Sequence, residues 1–455
     1  MKVGIIGGGL SGLALAQKLG EMGHQTTVLE SDSQLGGLAT WENHGSFVFD
    51  RYYHVILPSD RELLDFLRSI GLEKRLRWNG TLTGFFVDNK IHSMSNTVEF
   101  LKFPPLSLWS KFRLALTILY CSRINNWRRL EGTPVASFLL RHSGRATYEK
   151  LWKPLLLAKL GESYRRVSAV FIWTYIKRMF SARDSAASKE QMGHVFGGYR
   201  TVFAQLQSRI EAQGGAVHLN TRVTRIASGA PGDGIRLDTS GGSETYDKVI
   251  FTGPVNILAK IADDGLVDTE DGGQRVEYLG VLCMALVTRK PLSPYYILNI
   301  ADERIPFTGV VGMSNILDPE ETNGLHLTYL PKYVLSTDQE LLRPEPQVRD
   351  EFLNGLRILF PNLLDEDIVG ARIHRAVKVQ PLQVLNFSEL TPKTRTAHPD
   401  LYIHNTAQFV NNTLNNNEVI RAVNRFLEAE KSVFQYAETK NSGATDGLIP
   451  EKSSG

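Results

Sequence analysis

Three glycines near the start of the chain have the spacing of a loop that binds a dinucleotide pyrophosphate. Gly7, Gly9 and Gly12 fit the pattern G-x-G-x-x-G. Gly7 would permit the tight turn, Gly9 would let a phosphate approach the backbone, and Gly12 would let a helix pack closely on a strand. About 20 residues further on, Glu30 can accept hydrogen bonds from ribose hydroxyls. The spacing therefore predicts a dinucleotide site.

The elements that must position this loop are present in the required order. Residues 2–6 (KVGII) and 25–29 (QTTVL) are short, apolar or β-branched, and each predicts a strand. Between them a helix starts at Leu10 and Ser11, where free N–H groups and the positive end of the helix dipole would face the phosphates. A chance glycine-rich loop would not be flanked in this way, so we interpret the segment as a nucleotide-binding βαβ unit.

A second glycine-bearing turn follows a few residues after the acid. It contains Gly36, Gly37, Leu38 and Ala39. An NAD-only dehydrogenase does not require such a turn here, whereas FAD is longer and needs more backbone contact beyond the ribose. The pair of glycines therefore favours FAD, the alternative being an ordinary surface turn.

A polar and aromatic cluster follows the predicted strand 47–50. His54 could accept a proton or stack near a flavin ring, or it could be a buried histidine bonded to backbone. Arg51, next to Tyr52 and Tyr53, could anchor a carboxylate or phosphate, or it could pair with Asp50. We predict His54, Arg51 and Tyr53 as the catalytic residues.

Length and composition exclude several classes of protein. The chain has 455 residues, enough for two or three units with sizeable cores. A net charge of +3 gives no reason to expect nucleic acid as a partner. The cysteines, Cys121 and Cys283, are far apart and lack metal-ligand spacing, which argues against a metal site and fits the reducing cytoplasm. The first strand starts too early for a signal peptide, and no apolar run reaches the roughly 18 residues of a membrane span.

Residues 103–130 combine basic and aromatic side chains with no acid. If this segment is helical, Leu108, Phe112, Leu116 and Leu119 share one face. It could lie in a membrane interface, which would place the protein peripherally at the inner face of the membrane. Alternatively, it could be a helix that caps the substrate cavity and exposes its basic side to solvent.

The remaining pattern suggests a chain that leaves the nucleotide-binding fold and returns to it. Residues 100–190 are predicted to form a helical insertion. A predicted helix from Val202 to Ala212, followed by short strands up to residue 251, then resumes the strand and helix pattern of the first domain. Residues 276–380 are rich in predicted strands. A strand at 400–404 and an amphipathic helix then close the fold.

The motifs named above resemble the FAD-dependent amine oxidase, protoporphyrinogen oxidase and phytoene desaturase superfamily. The resemblance also includes the segment Phe49 to His54, the triplet Gly197-Gly198-Tyr199, and residues 223–226. It implies an α/β fold with a doubly wound, Rossmann-type FAD-binding domain that is discontinuous in sequence, and an α+β substrate domain. The FAD-binding domain would comprise residues 1–75, 195–255 and 396–436. The substrate domain would comprise 76–194 and 256–395, with a disordered tail at 437–455.

The resemblance also assigns cofactor contacts residue by residue. Those not yet described are Ser31 beside the ribose acid, the backbone at Val223 near the adenine, Thr252, Gln408 and Val419. The superfamily's late Gly-Asp pair is replaced here by Asn405 and Thr406, which leaves the ribityl contact to nearby polar groups. Attachment positions for a covalent flavin have no counterpart, so noncovalent FAD is expected.

The resemblance implies an oxidoreductase, either an oxidase or a desaturase, that takes hydride from a C–N or C–C bond of a hydrophobic or amphipathic small molecule. No second dinucleotide turn follows a strand elsewhere, so oxygen or a quinone-like acceptor is the expected electron partner. The alternative is an isomerase similar to UDP-galactopyranose mutase, acting on a nucleotide sugar.

Overall fold

The structure is a computed structural model that describes residues 1–181, 190–229, 234–267 and 276–435. Its strands are β1 Lys2–Ile6, β2 Gln25–Leu29, β3 Trp41–Asn43, β4 Val48–Asp50, β5 Leu76–Gly80, β6 Thr83–Val87, β7 Lys90–Ser93, β8 Gln191–Val195, β9 Ala216–His218, β10 Val223–Ser228, β11 Ile235–Thr239, β12 Gly242–Tyr246, β13 Lys248–Phe251, β14 Tyr278–Thr288, β15 Ile297–Ile300, β16 Gly309–Gly312, β17 His326–Leu335, β18 Ile368–Pro381 and β19 Leu401–Ile403. Its helices are α1 Leu10–Glu21, α2 Arg61–Ser69, α3 Thr97–Lys102, α4 Leu108–Arg123, α5 Arg128–Glu131, α6 Val135–Ser143, α7 Arg145–Thr147, α8 Lys153–Leu160, α9 Ala169–Ser181, α10 Tyr199–Ala212, α11 Val255–Ile261, α12 Glu345–Leu359, α13 Asn416–Ala429 and α14 Lys431–Phe434.

A five-stranded parallel sheet is built from three separated stretches of the chain. Its order is β19-β13-β1-β2-β9, with β1 paired to both β2 and β13. The apolar side chains of α1, α10 and α13 share one buried cluster with β1. Helices cover one face of this parallel sheet, and the antiparallel sheet β10-β11-β12 together with α11 packs on the other. A parallel sheet covered on both faces is the architecture of a Rossmann-type α/β unit, so the predicted fold class is confirmed.

A second, seven-stranded sheet has the order β18-β14-β17-β16-β15-β6-β7. All eleven residues of β14 are buried, because it lies between β17 and β18 and is covered on both faces. Side chains of β17 alternate. Leu330 and Val334 join the cluster that contains α12, whereas Tyr329 and Tyr333 point to the opposite face. That opposite face contributes to the candidate site.

Helices α3 to α9 form the predicted insertion. Its core includes Leu139, Val167 and Trp173. Within this insertion, residues Tyr148–Trp152 adopt a π-helical turn before α8 begins. No helix within the described ranges is long and apolar enough to cross a membrane.

The predicted tail at 437–455 lies outside the described residues. The helix expected from Val202 begins earlier, at Tyr199, because a buried carboxylate accepts its backbone N–H. The proposed domain boundaries stay a prediction.

Candidate active site

The two glycine loops predicted from the sequence lie against each other. Gly36 N donates to Gly8 O at 2.9 Å, and Gly9 and Gly36 form an isolated parallel bridge. Gly7 and Gly36 both have positive φ, of 113° and 112°, which favours glycine. A Cβ on Gly12 would overlap the carbonyl oxygen of Gly7, so α1 packs tightly on the turn. A Cβ on Gly9, in contrast, would meet no protein atom within 4 Å.

Helix α1 leaves its first N–H groups unused at this open position. Gly9 is the N-cap, and no side chain caps the helix or places an acid in its first turn. The N–H groups of Leu10 and Ser11 therefore belong to the set that an α-helix cannot satisfy internally. Such an end, beside an open glycine, is suited to binding an anion.

Glu30 links the end of β2 to this loop. Its Oε2 accepts from Gly8 N at 2.6 Å, and its Oε1 accepts from Asp32 N at 2.8 Å and from Ser31 Oγ at 3.2 Å. These bonds fix the carboxylate at the edge of the open space. Its remaining lone pairs can accept from sugar hydroxyls.

Asp50, at the end of β4, lies beneath the aromatic cluster. Its Oδ1 accepts from Tyr199 N at 2.7 Å, at the start of α10. A Cβ on Gly198 would come within 2.6 Å of that oxygen, so Gly198, with φ of 70°, makes room for the bond. Burial raises the pKa of Asp50 to about 8, so the neutral carboxylic acid predominates at pH 7.

His54 is enclosed beside Asp50. Its Nδ1 lies 3.0 Å from Tyr52 O and 3.9 Å from Asp50 Oδ2, and its ring centre is 5.3 Å from that of Tyr199. Burial lowers the pKa of His54 to about 4, so the imidazole is neutral at pH 7. His54 is therefore a buried histidine bonded to backbone, as one of the two predicted alternatives has it. Its Nε2 remains the ring nitrogen that can exchange a proton.

Arg51 does not pair with Asp50, and that alternative is wrong. Its Nη2 donates to Glu42 Oε2 at 3.3 Å, while Asp50 turns inward to α10. The buried Nε of Arg51 makes no hydrogen bond within the described residues. His374, whose pKa burial lowers to about 3, lies near this guanidinium and packs edge-on against Tyr52.

Five tyrosines meet on the face of the second sheet that looks towards Asp50, and we call them the tyrosine cluster. Tyr53 and Tyr333 share a hydrogen bond of 2.8 Å between their hydroxyl groups. Burial raises the pKa of Tyr53 to about 12, so its phenol stays protonated at neutral pH. Burial also raises the pKa of each other member. The cluster comprises Tyr53, Tyr175, Tyr296, Tyr329 and Tyr333.

Lys159 of α8 completes this group. Its Nζ lies 3.1 Å from the ring centre of Tyr333. Thr308 Oγ1 donates to Ala158 O at 2.8 Å and holds this part of the helix on the sheet. Burial lowers the pKa of Lys159 to about 7, which gives an amine that exchanges protons near physiological pH. The residue as a whole is half-buried.

Comparison with known proteins identifies the family. The profile described as "Flavin containing amine oxidoreductase" matches residues 10–376, more than half of the chain. The chain belongs to this family. As a member, it is a flavin-dependent oxidoreductase with FAD as its cofactor.

Individual relatives are distant in sequence. Protoporphyrinogen oxidase 2 of Arabidopsis thaliana is 26% identical over 34% of this chain, and the match spans only 32% of that relative. A 15-cis-phytoene desaturase from an Oncidium hybrid cultivar is 20% identical over 82% of this chain and 67% of its own length. The substrates of these relatives therefore do not transfer to this chain.

Solved structures agree on the fold. An oxidoreductase from Methanosarcina mazei has a TM-score of 0.73 at 18% identity, covering 94% of this chain and 100% of that one. Reduced UDP-galactopyranose mutase has a TM-score of 0.72 at 15% identity, covering 95% and 94%. At such identities the likeness concerns the fold alone.

The glycine loops of this flavoprotein fit the cofactor of its family. The open position at Gly9, the free N-terminus of α1 and the carboxylate of Glu30 suit the phosphates and a ribose of FAD. Gly37, Leu38 and Ala39 form a short 3₁₀ turn that continues this surface. Further along, the Tyr199 hydroxyl is buried beside the side chain of Asn416 at the start of α13, which interacts with it.

Other predicted cofactor residues have structural partners as well. Thr252 Oγ1 donates to Ile6 O at 2.9 Å and supports the glycine turn from behind. Gln408 uses its amide on Thr394 Oγ1 and on nearby carbonyls, and its Oε1 accepts from Asn405 N. Val223 opens β10 and is buried, and Val419 is buried in the second turn of α13. Their contacts with FAD stay a prediction.

The sequence analysis missed Lys159, Tyr175 and Tyr333. Lys159 sits in an apolar run, PLLLAKL at residues 154–160, where a single lysine resembles a helix surface residue. Only the packing of α8 on β17 reveals it as part of the site. Tyr329 and Tyr333 are four residues apart in a strand and therefore lie on the same face of β17, which was the available signal in the sequence.

Proposed function

We propose that this flavoenzyme removes hydride from a C–N or C–C single bond of a hydrophobic or amphipathic small molecule and leaves an imine or an alkene. The observation that carries the proposal is the tyrosine cluster with Lys159 above Tyr333. Tyr53, Tyr175 and Tyr333 are half-buried phenols kept neutral, which can present flat apolar surfaces with a few hydroxyl groups for orientation, whereas Tyr296 and Tyr329 are enclosed. That lining suits a substrate with little charge.

The proton balance of such a reaction assigns a role to Lys159. Bound FAD supplies the acceptor for the hydride, which carries two electrons. The second hydrogen of the oxidised bond leaves as a proton, and Nζ of neutral Lys159 can accept it. Because burial brings the pKa of Lys159 to about 7, the free amine is populated at physiological pH.

Tyr53 and His54 have supporting roles in this proposal. The hydroxyl of Tyr53 orients that of Tyr333 through their shared hydrogen bond. His54, neutral and bonded to Tyr52 O through Nδ1, presents Nε2 as a second site for a proton. Arg51 is held by Glu42, which supports positioning rather than proton transfer.

The proposal includes the way FAD is bound, its electron acceptor and the cellular location of the enzyme. We propose noncovalent FAD that is reoxidised by oxygen or a quinone-like acceptor, with no nucleic acid as a partner. Cys121 and Cys283 are both buried free thiols. Burial raises the pKa of Cys121 to about 12, which keeps the thiol protonated, and two unpaired thiols support a cytoplasmic location.

An isomerase acting on a nucleotide sugar is the alternative. A diphosphate needs cations, and two guanidinium groups near the site are each paired with a carboxylate. Arg51 pairs with Glu42, and Arg178 pairs with Asp60 at 2.9 Å. The pairing of these two arginines with carboxylates favours an oxidoreductase over the isomerase.

An anaerobic spectral screen tests the proposal. Purified protein should show the absorption of bound FAD at about 450 nm. We expect one compound among amines, porphyrinogens and polyenes to bleach this band without dithionite. If only dithionite bleaches it, and the reduced protein then interconverts UDP-sugars, the isomerase replaces the oxidoreductase. Protein that is colourless and cannot be reconstituted with FAD would contradict the cofactor assignment.

A further inference from the structure

Helices α3 and α4 carry an unusual concentration of exposed apolar side chains. Among the described residues, twenty large apolar side chains are exposed, and eight of them lie between residues 98 and 120. Leu108 is 74% and Trp109 66% exposed. We call these eight the apolar ridge: Val98, Leu101, Leu108, Trp109, Phe112, Leu116, Leu119 and Tyr120. A contiguous apolar surface of this kind marks an interaction site.

The ridge does not result from a poorly docked helix. The opposite face of α4 is buried through Leu114, Thr117 and Cys121. Trp173 Nε1 donates to Cys121 O at 2.9 Å, and Lys111 Nζ donates to Leu101 O at 2.7 Å, which ties α4 to α9 and α3. The protein therefore fixes α4 with its more apolar side outwards. This is the reverse of a helix that caps a substrate cavity with its apolar face.

Basic residues adjoin the ridge along the chain. Lys102, Arg123, Arg128 and Arg129 are exposed, and none pairs with an acid within the part of the chain that the structure describes. Residues 103–130 contain no Asp or Glu. Long basic side chains at the edge of an apolar surface can reach phosphate groups while their stems stay in an apolar layer. Apolar and aromatic side chains would enter the boundary between headgroups and acyl chains.

A surface cavity adjoins the ridge. It has a volume of about 460 Å³, and its lining includes Leu116, Leu119 and Tyr120 together with Arg123 and Arg141. Two guanidinium groups beside apolar side chains match the polarity of an anionic phospholipid, whose phosphate lies next to its acyl chains. The ring of Tyr120 stacks on His142 at 4.9 Å, which holds one wall in place.

We propose that the apolar ridge and its basic border dock this enzyme on an anionic lipid bilayer. Charge argues against a second copy of the chain as the occupant, because a symmetric contact would bring the same cations together. An anionic membrane instead neutralises them, and each basic residue near its surface adds to the attraction. The proposal does not depend on which substrate the enzyme oxidises.

Flotation of the FAD-loaded, full-length protein tests the docking. Vesicles of phosphatidylcholine alone are compared with vesicles that also contain phosphatidylglycerol. We expect co-flotation with the anionic vesicles, weak flotation with neutral ones, and release by high salt. The double variant W109S/F112S should lose at least tenfold in bound fraction on both. The triple variant R123E/R128E/R129E should lose the preference for anionic lipid.

Matched controls keep the outcome interpretable. L342S removes an equally exposed apolar side chain elsewhere, and R61E reverses an exposed charge elsewhere, so both should float like the natural sequence. Flavin absorbance and the melting temperature report folding of each variant. Absence of flotation with every composition, or unchanged flotation of W109S/F112S, would overturn the proposal. A lipid-free dimer that W109S/F112S abolishes would also overturn it and assign the ridge to a second copy.

Discussion

Lys159 Nζ lies 3.1 Å from the centre of the Tyr333 ring, and the hydroxyl group of Tyr333 shares a hydrogen bond with Tyr53. These residues come from α8, β17 and the loop after β4. The contact therefore joins the helical insertion, the second sheet and the segment that follows the nucleotide-binding loops. A base, an aromatic surface and the candidate catalytic loop meet at one place.

Substitution of Lys159 by Met should lower turnover by about 10² to 10⁴-fold, because the proton acceptor is removed. In the natural sequence, kcat/KM should rise with pH through about 7 as Lys159 loses its proton. The variant should lack this rising limb. Steady-state kinetics across pH, with the substrate found in the spectral screen, measures both effects.

Lys153→Met is the control for that change. Lys153 lies on the same helix but pairs with Glu149 at 3.3 Å on a more exposed side. The Lys153→Met variant should keep the turnover of the natural sequence and the rise of kcat/KM with pH. Equal losses in the two variants would show that α8 requires its lysines for structure, and Lys159 would then have no special role in proton transfer.

Substitution of Gly9 by Ala should weaken FAD binding without destabilising the apoprotein. Gly9 has φ of −75°, which alanine adopts readily, and the added Cβ meets no protein atom within 4 Å. The methyl group would instead occupy space where the cofactor approaches the backbone. We expect at least a tenfold rise in the Kd of FAD, measured by flavin fluorescence quenching, at an unchanged melting temperature of the apoprotein.

Gly80→Ala provides the comparison, because its Cβ also meets nothing within 4 Å and lies on β5, away from the loops. It should leave the Kd of FAD unchanged. If Gly9→Ala binds FAD as tightly as Gly80→Ala does, the cofactor does not approach the chain at Gly9.

Substitution of Asp50 by Asn should stabilise the protein at alkaline pH. The folded state raises the pKa of Asp50 to about 8, well above its unfolded value. The favourable contribution of the protonated acid is therefore complete at low pH and is lost as pH rises through 8. Asn keeps an acceptor for Tyr199 N and does not ionise. At pH 9 the free energy of unfolding of D50N should exceed that of the natural sequence by up to roughly 5 kcal/mol.

Urea unfolding of the two apoproteins between pH 5 and 9 checks this sign. The two stability curves should diverge with rising pH. A difference that stays constant over the range would mean that Asp50 is already ionised in the folded state.

Substitution of His404 by Phe should reduce sensitivity to acid. Burial lowers the pKa of His404 to about 4, so the unfolded chain takes up a proton before the folded chain does. The natural sequence should lose on the order of 2 to 3 kcal/mol from this residue as pH falls from 6.5 to 4. Phe can pack on Phe426, whose ring centre is 5.2 Å away, and carries no proton. The acid limb of the variant's stability curve should be shallower, and an identical limb would contradict the assignment.

The sequence alone determined the nucleotide-binding part of this protein. The order of strand, glycine turn, helix, strand and acid is local, because each step depends on neighbouring residues and on the conformations that glycine permits. Gly36 and Gly37 could be connected to the first turn because they follow the acid closely in sequence. The strands of the second sheet were also recognisable from their apolar and β-branched runs, although their pairing was not.

Tertiary structure decided the chemistry of the site and the use of α4. Lys159 and Tyr333 are separated by more than a hundred residues, so no local pattern brings them together, and the pKa of Lys159 depends on burial that only packing creates. The same holds for Asp50, which the sequence offered as a partner for Arg51 and which the fold turns towards Tyr199. The sequence showed that α4 is amphipathic and basic. Which face it buries was settled by its packing on α9, because burial of Leu114 and Cys121 leaves the apolar ridge outside.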